Sequence, residues 1–201
     1  MTMRRTVAIG WFLLAGALVL ADQRSKLAEV HVAPGARPKC SKILVLGISD
    51  DRETRHRFED KFVTQLRGRD VAALTSYPLV EDLTRPESRD VILAALEREK
   101  VDAVLTVRAV PIDGVSEADW SKTWTAWLDA PATIRELVQQ SVPVSAKAAK
   151  RYGVEISLWQ LGSGKRTWSA RTIVFERKKL RDAASDLMQE TIALLRELEI
   201  V

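Results

Sequence analysis

The spacing of apolar residues changes character several times along the chain, and each change marks an element. Lys42 to Ser49, KILVLGIS, is a short apolar run with β-branched residues, which suits a buried strand. Phe58, Phe62 and Leu66 then recur every fourth position, one stripe of a helix laid against a sheet. Asp50 with Glu53 three residues on has the spacing of a capping box at the start of that helix. Gly68 is its expected stop, because glycine accepts the left-handed conformation that follows many helices. Val71 to Tyr77 reads as a second strand. Pro86 opens a second helix, where a missing N–H costs nothing, and Val91, Ile92, Ala95 and Leu96 form its inner face. Val101 to Val110, VDAVLTVRAV, is a third strand.

Pro111 to Lys150 breaks this rhythm. Beyond it Val154, Ile156 and Leu158 alternate with polar positions, Gly162-Ser163-Gly164 makes a turn, and Arg166 to Phe175 runs back as a partner strand. Leu180, Ala184, Leu187, Met188, Thr191, Leu194, Leu195 and Leu198 form the inner stripe of a long C-terminal helix. The fold class is therefore α/β: a three-layer-like βαβαβ unit with parallel pairs and right-handed crossovers, then a β-hairpin and a long C-terminal helix on a mixed sheet. One domain is expected over 42–201, with an insertion at 111–150. Residues 22–41, with Pro34, Gly35, Pro38 and no periodicity, read as a tether.

The first 21 residues are of another kind. Arg4 and Arg5 precede an uncharged apolar run, Thr6 to Ala21, that ends in Val19-Leu20-Ala21. That is the layout of an export signal, with β-branched and small residues at the −3 and −1 places of a cleavage site. The run is shorter than the ~20 apolar residues that comfortably span a bilayer, yet longer than a usual signal core. An uncleaved membrane anchor is thus the rival to cleavage. Either way the part from Asp22 onward is expected to act in the periplasm or cell envelope of a bacterium-like cell.

Composition narrows the partners. The chain has 201 residues, 46% hydrophobic and 29% charged, an ordinary globular balance. Of its 31 basic side chains, Arg4 and Arg5 belong to the signal, and the remaining 29 oppose 27 acidic ones, a net of +2. The charges are interspersed, so no nucleic-acid partner is expected. Cys40 is the only cysteine, which excludes an intrachain disulfide. Arg37-Pro38-Lys39 lacks the small apolar residues that precede a lipidated cysteine, so Cys40 reads as a free or buried thiol and not as an anchor.

Few side chains suggest chemistry. Gly164-Lys165 lacks the earlier glycine and the following Ser or Thr of a phosphate loop, and it sits in a hairpin with no helix behind it. Asp50, Asp51, His56, Glu59 and Asp60 could gather at the end of the first strand as a metal or acid–base site. Arg52, Arg55 and Arg57 interleave with them, which favours a salt-bridged solvent face. His31 lies in the tether, and nothing in the sequence positions Cys40 against either histidine. No GxSxG elbow occurs. No catalytic residue, cofactor or metal is expected. The tryptophans say more: Trp120, Trp124 and Trp127 share one helical face of the insertion. They either dock a partner, as tryptophan does at binding hot spots, or cap the sheet as a packed stripe.

Taken together, LVLGISDD, RHRFEDKFVTQL, DVAALTSYPLV, VDAVLTVRAV and VEISLWQLGSGKRTWSART resemble small bacterial envelope proteins, those of the TolB N-terminal domain and the CsgG-like lipoprotein core. In that group the late hairpin reads as a polar turn with Gly-Lys, then tryptophan and a small residue, here Gly164-Lys165 and Trp168-Ser169. The resemblance implies a periplasmic, non-catalytic domain that binds other envelope proteins. This chain departs from the group in having no lipidation cysteine after its signal. The expected function is a protein-binding adaptor or assembly factor of the envelope, using a sheet edge or Trp120, Trp124 and Trp127. The alternative is a carrier of a small molecule or lipid in an apolar pocket under the insertion. Membrane contact is expected only through an uncleaved N-terminal segment.

Amino-terminal sequencing of the exported protein is expected to begin at Asp22. An intact mass that retains residues 1–21 would establish the anchor instead.

Overall fold

The computed structural model describes the chain from Leu27 to Val201, apart from residues 35–38, 50, 69–70, 84, 86, 117–118, 120–135, 137–148 and 174, and for 177–183 the backbone alone. Its strands are β1 (Leu27–Val32), β2 (Lys42–Ile48), β3 (Ala72–Thr75), β4 (Ala103–Pro111), β5 (Arg151–Gln160), β6 (Lys165–Thr172) and β7 (Phe175–Glu176). The helices are α1 (Arg52–Arg67), α2 (Glu87–Arg98) and α3 (Arg177–Glu197). The strands form one mixed sheet in the order β1-β6-β5-β4-β2-β3, with β7 pairing the start of β5. β2 lies parallel to both β3 and β4, and every other pair is antiparallel. The mixed α/β architecture expected from the sequence is the one observed.

Alternation along the strands sorts the core onto two faces. On one face Ile43, Val45, Leu105, Val107, Ile156, Leu158, Trp168 and Ala170 pack against Phe62, Leu66, Leu187, Met188 and Leu195 of α1 and α3. Each such large side chain stabilises by roughly 1.5–3 kcal/mol when fully buried. On the other face Leu44, Leu46, Val104 and Trp159 meet Ile92 and Leu96 of α2.

Several local readings change. The helix cap is Asp51 and not the Asp50–Glu53 pair: Asp51 accepts from Thr54 N at 2.9 Å, while Asp50 lies outside the described residues. Gly68 does end α1, but at φ −66°, outside the left-handed region expected of it. Val91 is 44% exposed, and the inner face of α2 is Ser88, Ile92, Ala95 and Leu96, because the buried stripe starts one position away from Val91. Part of the supposed tether is strand: Leu27–Val32 pairs with β6, and Leu27 N donates to Glu190 of α3. Pro111 pairs with Tyr152, so the insertion connects two directly paired antiparallel strands, β4 and β5. Asp113 closes its base by accepting from Lys150 N at 2.8 Å and Arg151 N at 2.9 Å.

The largest correction concerns the supposed solvent face of α1. Arg55 and Glu59 are 2% and 0% exposed. Glu59 Oε1 accepts from Arg55 Nε at 2.9 Å, Ser76 Oγ at 2.7 Å and Gly47 N at 3.0 Å. Its Oε2 accepts from Ser76 N at 2.6 Å and Tyr77 N at 3.0 Å. Arg55 also reaches Ser76 Oγ and the Glu81 carbonyl. The buried charge is tolerable because paired charge and hydrogen bonds answer it together. Gly47 makes room: a Cβ there would stand 3.2 Å from Arg55 Cγ and 3.4 Å from Glu59 Oε1.

Glu59→Gln is expected to cost about 3–5 kcal/mol in urea denaturation, because it strands the Arg55 charge. The double variant Arg55→Met/Glu59→Met should not recover that loss, since the N–H groups of Gly47, Ser76 and Tyr77 would still lack an acceptor. Recovery to native stability would show that only the ion pair matters.

Candidate functional site

β4, β5, β6 and β1 pair antiparallel and, between the bulges at Leu158/Trp159 and Leu27/Glu29, in constant register, so side chains of one parity form rows across the α2-side face. One row is Arg108, Glu155, Arg171 and Glu29. The next is Thr106, Ser157, Ser169 and His31. Directly opposed residues on adjacent strands stand close enough for their side chains to interact. The first row alternates in charge: Arg108 Nε donates to Glu155 Oε2 at 2.9 Å, and Arg171 Nη2 donates to Glu29 Oε1 at 2.5 Å. Its inner side chains, Glu155 and Arg171, are 2% and 5% exposed, while the outer Arg108 and Glu29 keep 29% and 36%.

This polar area adjoins the apolar patch beneath α2. Trp159 Nε1 donates to Thr106 Oγ1 at 3.2 Å, and the Arg166 guanidinium lies 5.3 Å above the Trp159 ring. Such a cation over an indole face is attracted by the ring quadrupole. Burial pushes the Glu155 carboxyl above its ordinary value, while Arg108 and then Arg166 pull it down. Four buried atoms in these rows have no hydrogen-bond partner: Ser157 Oγ, Ser169 Oγ, Arg171 Nε and Arg171 Nη1.

β1 borders the same rows and is the outermost strand of the sheet among the described residues. Ala33 N donates to Thr167 O, which makes Ala33–Thr167 a hydrogen-bonded pair. Counting back in register, His31 and Glu29 turn their backbone groups toward β6, whereas Val32 and Val30 turn theirs outward. The side chains of Val30 and Val32 are 44% and 38% exposed. β1 thus presents outward N–H and C=O groups flanked by apolar side chains.

The side chains singled out in the sequence do not assemble into one centre. Asp51 caps α1, Glu59 lies in the buried network, and Asp60 accepts from the Tyr77 hydroxyl at 2.9 Å. His56 stacks on the Tyr77 ring with centroids 4.0 Å apart. Among the described residues no three His, Cys, Asp or Glu side chains group as metal ligands. His31 is exposed on β1, at the end of the second polar row. Cys40 is a buried thiol, pushed up to about 12 by burial and then by Asp102, which disfavours the thiolate. Gly164 turns the hairpin at φ 67°, the conformation that glycine supplies cheaply, and Lys165 begins β6. Trp120, Trp124 and Trp127 lie outside the described residues. No helix among the described residues is long and apolar enough to cross a membrane.

The polar rows were missed because alternation alone reads as a solvent face. The turn at Gly162–Gly164 sets Gln160 opposite Lys165, but a bulge between Leu158 and Trp159 then shifts the pairing by one residue, and only that shift sets VEIS opposite SART.

No protein-family model and no curated protein matches the chain. Among solved structures it is similar to a single-substitution variant of the PelC dodecamer from Paraburkholderia phytofirmans, at 14% identity and a TM-score of 0.44, over 82% of this chain and 94% of that one. The PelC dodecamer from the same organism in a second crystal form gives 14% identity and a TM-score of 0.43, over 82% and 95%.

The raised Glu155 carboxyl has a consequence for pH. Holding its proton to higher pH in the fold, it contributes fully below the unfolded carboxylate value and loses that contribution as pH rises through the folded one. Glu155→Gln cannot ionise, so it is expected to gain stability relative to the native protein as pH rises from acid to neutral. Urea titrations across that range check this. A constant gap, or one moving the other way, contradicts burial as the leading cause.

Proposed function

We propose that the chain is an exported, non-catalytic protein of the bacterial envelope that binds another envelope protein, and that the partner adds a strand to β1. The observation that carries this reading is the outward backbone of Val30 and Val32 beside two exposed apolar side chains. An edge strand of this kind is a template for pairing, and proteins that do not use such an edge blunt it with lysine, proline or a covering element. Backbone bonds would supply affinity, and the side chains at alternate positions would supply selectivity. The export signal places such an edge early in the mature chain, and the resemblance to envelope binding domains points the same way. The engagement of Asp51, His56 and Glu59 in a cap, a stack and a buried network also favours binding over chemistry at that end of the sheet.

A photocrosslinking residue at Val30 in intact cells is expected to give a discrete protein adduct, and one at Val91, exposed on α2, none. Val32→Pro should abolish the adduct while sparing the fold, because the N–H it removes points outward. Trp124→Ala with Trp127→Ala should leave the adduct unchanged. An adduct that survives Val32→Pro but is lost with the tryptophans would move the interface to the insertion.

A further inference from the structure

Arg171 is 4% exposed, and only Nη2 of its guanidinium has a described acceptor, Glu29; Nε and Nη1 have none. A buried donor without an acceptor costs about 1–3 kcal/mol, more when it is charged. The cost is not confined to one atom. Ser169, two residues earlier on the same face of β6, and Ser157, directly across on β5, are both 0% exposed with unpartnered hydroxyls. Single unpartnered atoms also occur elsewhere, at His56 Nε2, Arg89 Nε and Trp168 Nε1; what sets this patch apart is that three such donor side chains lie side by side on one sheet face. The orphaned groups adjoin one another on two neighbouring strands, and all of them can donate. Among the described residues, the charged side chains of these rows and beside them are Arg108, Arg166 and Arg171 with Glu29 and Glu155. Both carboxylates already accept from an arginine.

We propose that this patch is a binding site for the oxyanion group of a small molecule, a carboxylate or a phosphate, held by the Arg171 guanidinium and the Ser157 and Ser169 hydroxyls. Charge-assisted hydrogen bonds from guanidinium to oxyanion are among the strong ones, and acceptors are what these atoms lack. The partly exposed Arg108 and Glu29 give the row solvent at both ends. The site lies on the sheet face opposite Val30 and Val32, so it stands or falls independently of strand docking at β1.

The test is a proton–nitrogen NMR titration of the arginine Nε resonances of the exported protein with inorganic phosphate, and separately with acetate, at constant ionic strength. The Arg171 resonance, assigned by its loss in Arg171→Lys, is expected to shift saturably with at least one oxyanion and not with chloride. Ser157→Ala/Ser169→Ala leaves both ion pairs intact and is expected to weaken that binding about tenfold, the equivalent of losing one to two hydrogen bonds. Response to phosphate alone identifies a phosphorylated ligand, and response to acetate alone a carboxylate. No saturable shift with either probe, or unchanged affinity in the serine variant, overturns the proposal.

Discussion

A carboxylate taken wholly out of water must have its charge and its lone pairs answered by the protein itself. Glu59 meets that demand with five hydrogen bonds drawn from β2, α1 and the segment after β3. The donors come from different parts of the parallel βαβ unit, so the network sets the depth at which α1 lies on the sheet. Gly47 is the geometric condition for it, because a side chain there would occupy the space of Arg55 and Glu59. With α1 held in this way, Phe62 and Leu66 reach the same core as Leu187 and Leu195 of α3.

The two halves of the sheet then have different roles. The parallel half, β3-β2-β4, is covered on one face by α1 and α3 and on the other by α2, and the Glu59 carboxylate within it is fully paired. The antiparallel half has most of its apolar core on the α1 and α3 side, with Trp159 of β5 joining the cluster under α2. On its other face two polar rows cross four strands, and at its margin β1 pairs only with β6 among the described residues. The features that could recognise a partner or a ligand lie together on this half, supported by a rigid neighbour. That division has a physical basis: edge backbone and unpaired polar atoms are costs to stability, and the tightly packed half offsets them.

The candidate site was only partly legible in the chain. Arg55 and Glu59 stand four apart on a helix, the spacing of an ordinary surface pair, and nothing local tells a buried pair from an exposed one. What buries them are Gly47 and Ser76, which come from other segments of the sheet. The alternation in VEISLW and RTWSAR similarly announces strands with one apolar face. It does not announce that Ser157, Glu155, Ser169 and Arg171 are themselves buried. β1 was the hardest to see, because LAEVHV is short and sits between charged and proline-containing segments, and its partner β6 is well over a hundred residues away.

Hydrophobic period, turn chemistry and capping are local quantities, and they determined the strands β2 and β4, the helices α1 and α3, the hairpin through Gly164, and the α/β class of the chain. The N-terminal pattern of charge and apolar residues is local too, and the expectation of export rests on it. Which faces are covered, which charges lose water, and which strand is left with an open edge depend on contacts between residues distant in sequence. Only the tertiary structure decided those, because desolvation and cross-strand register are properties of the assembled sheet and of no single segment.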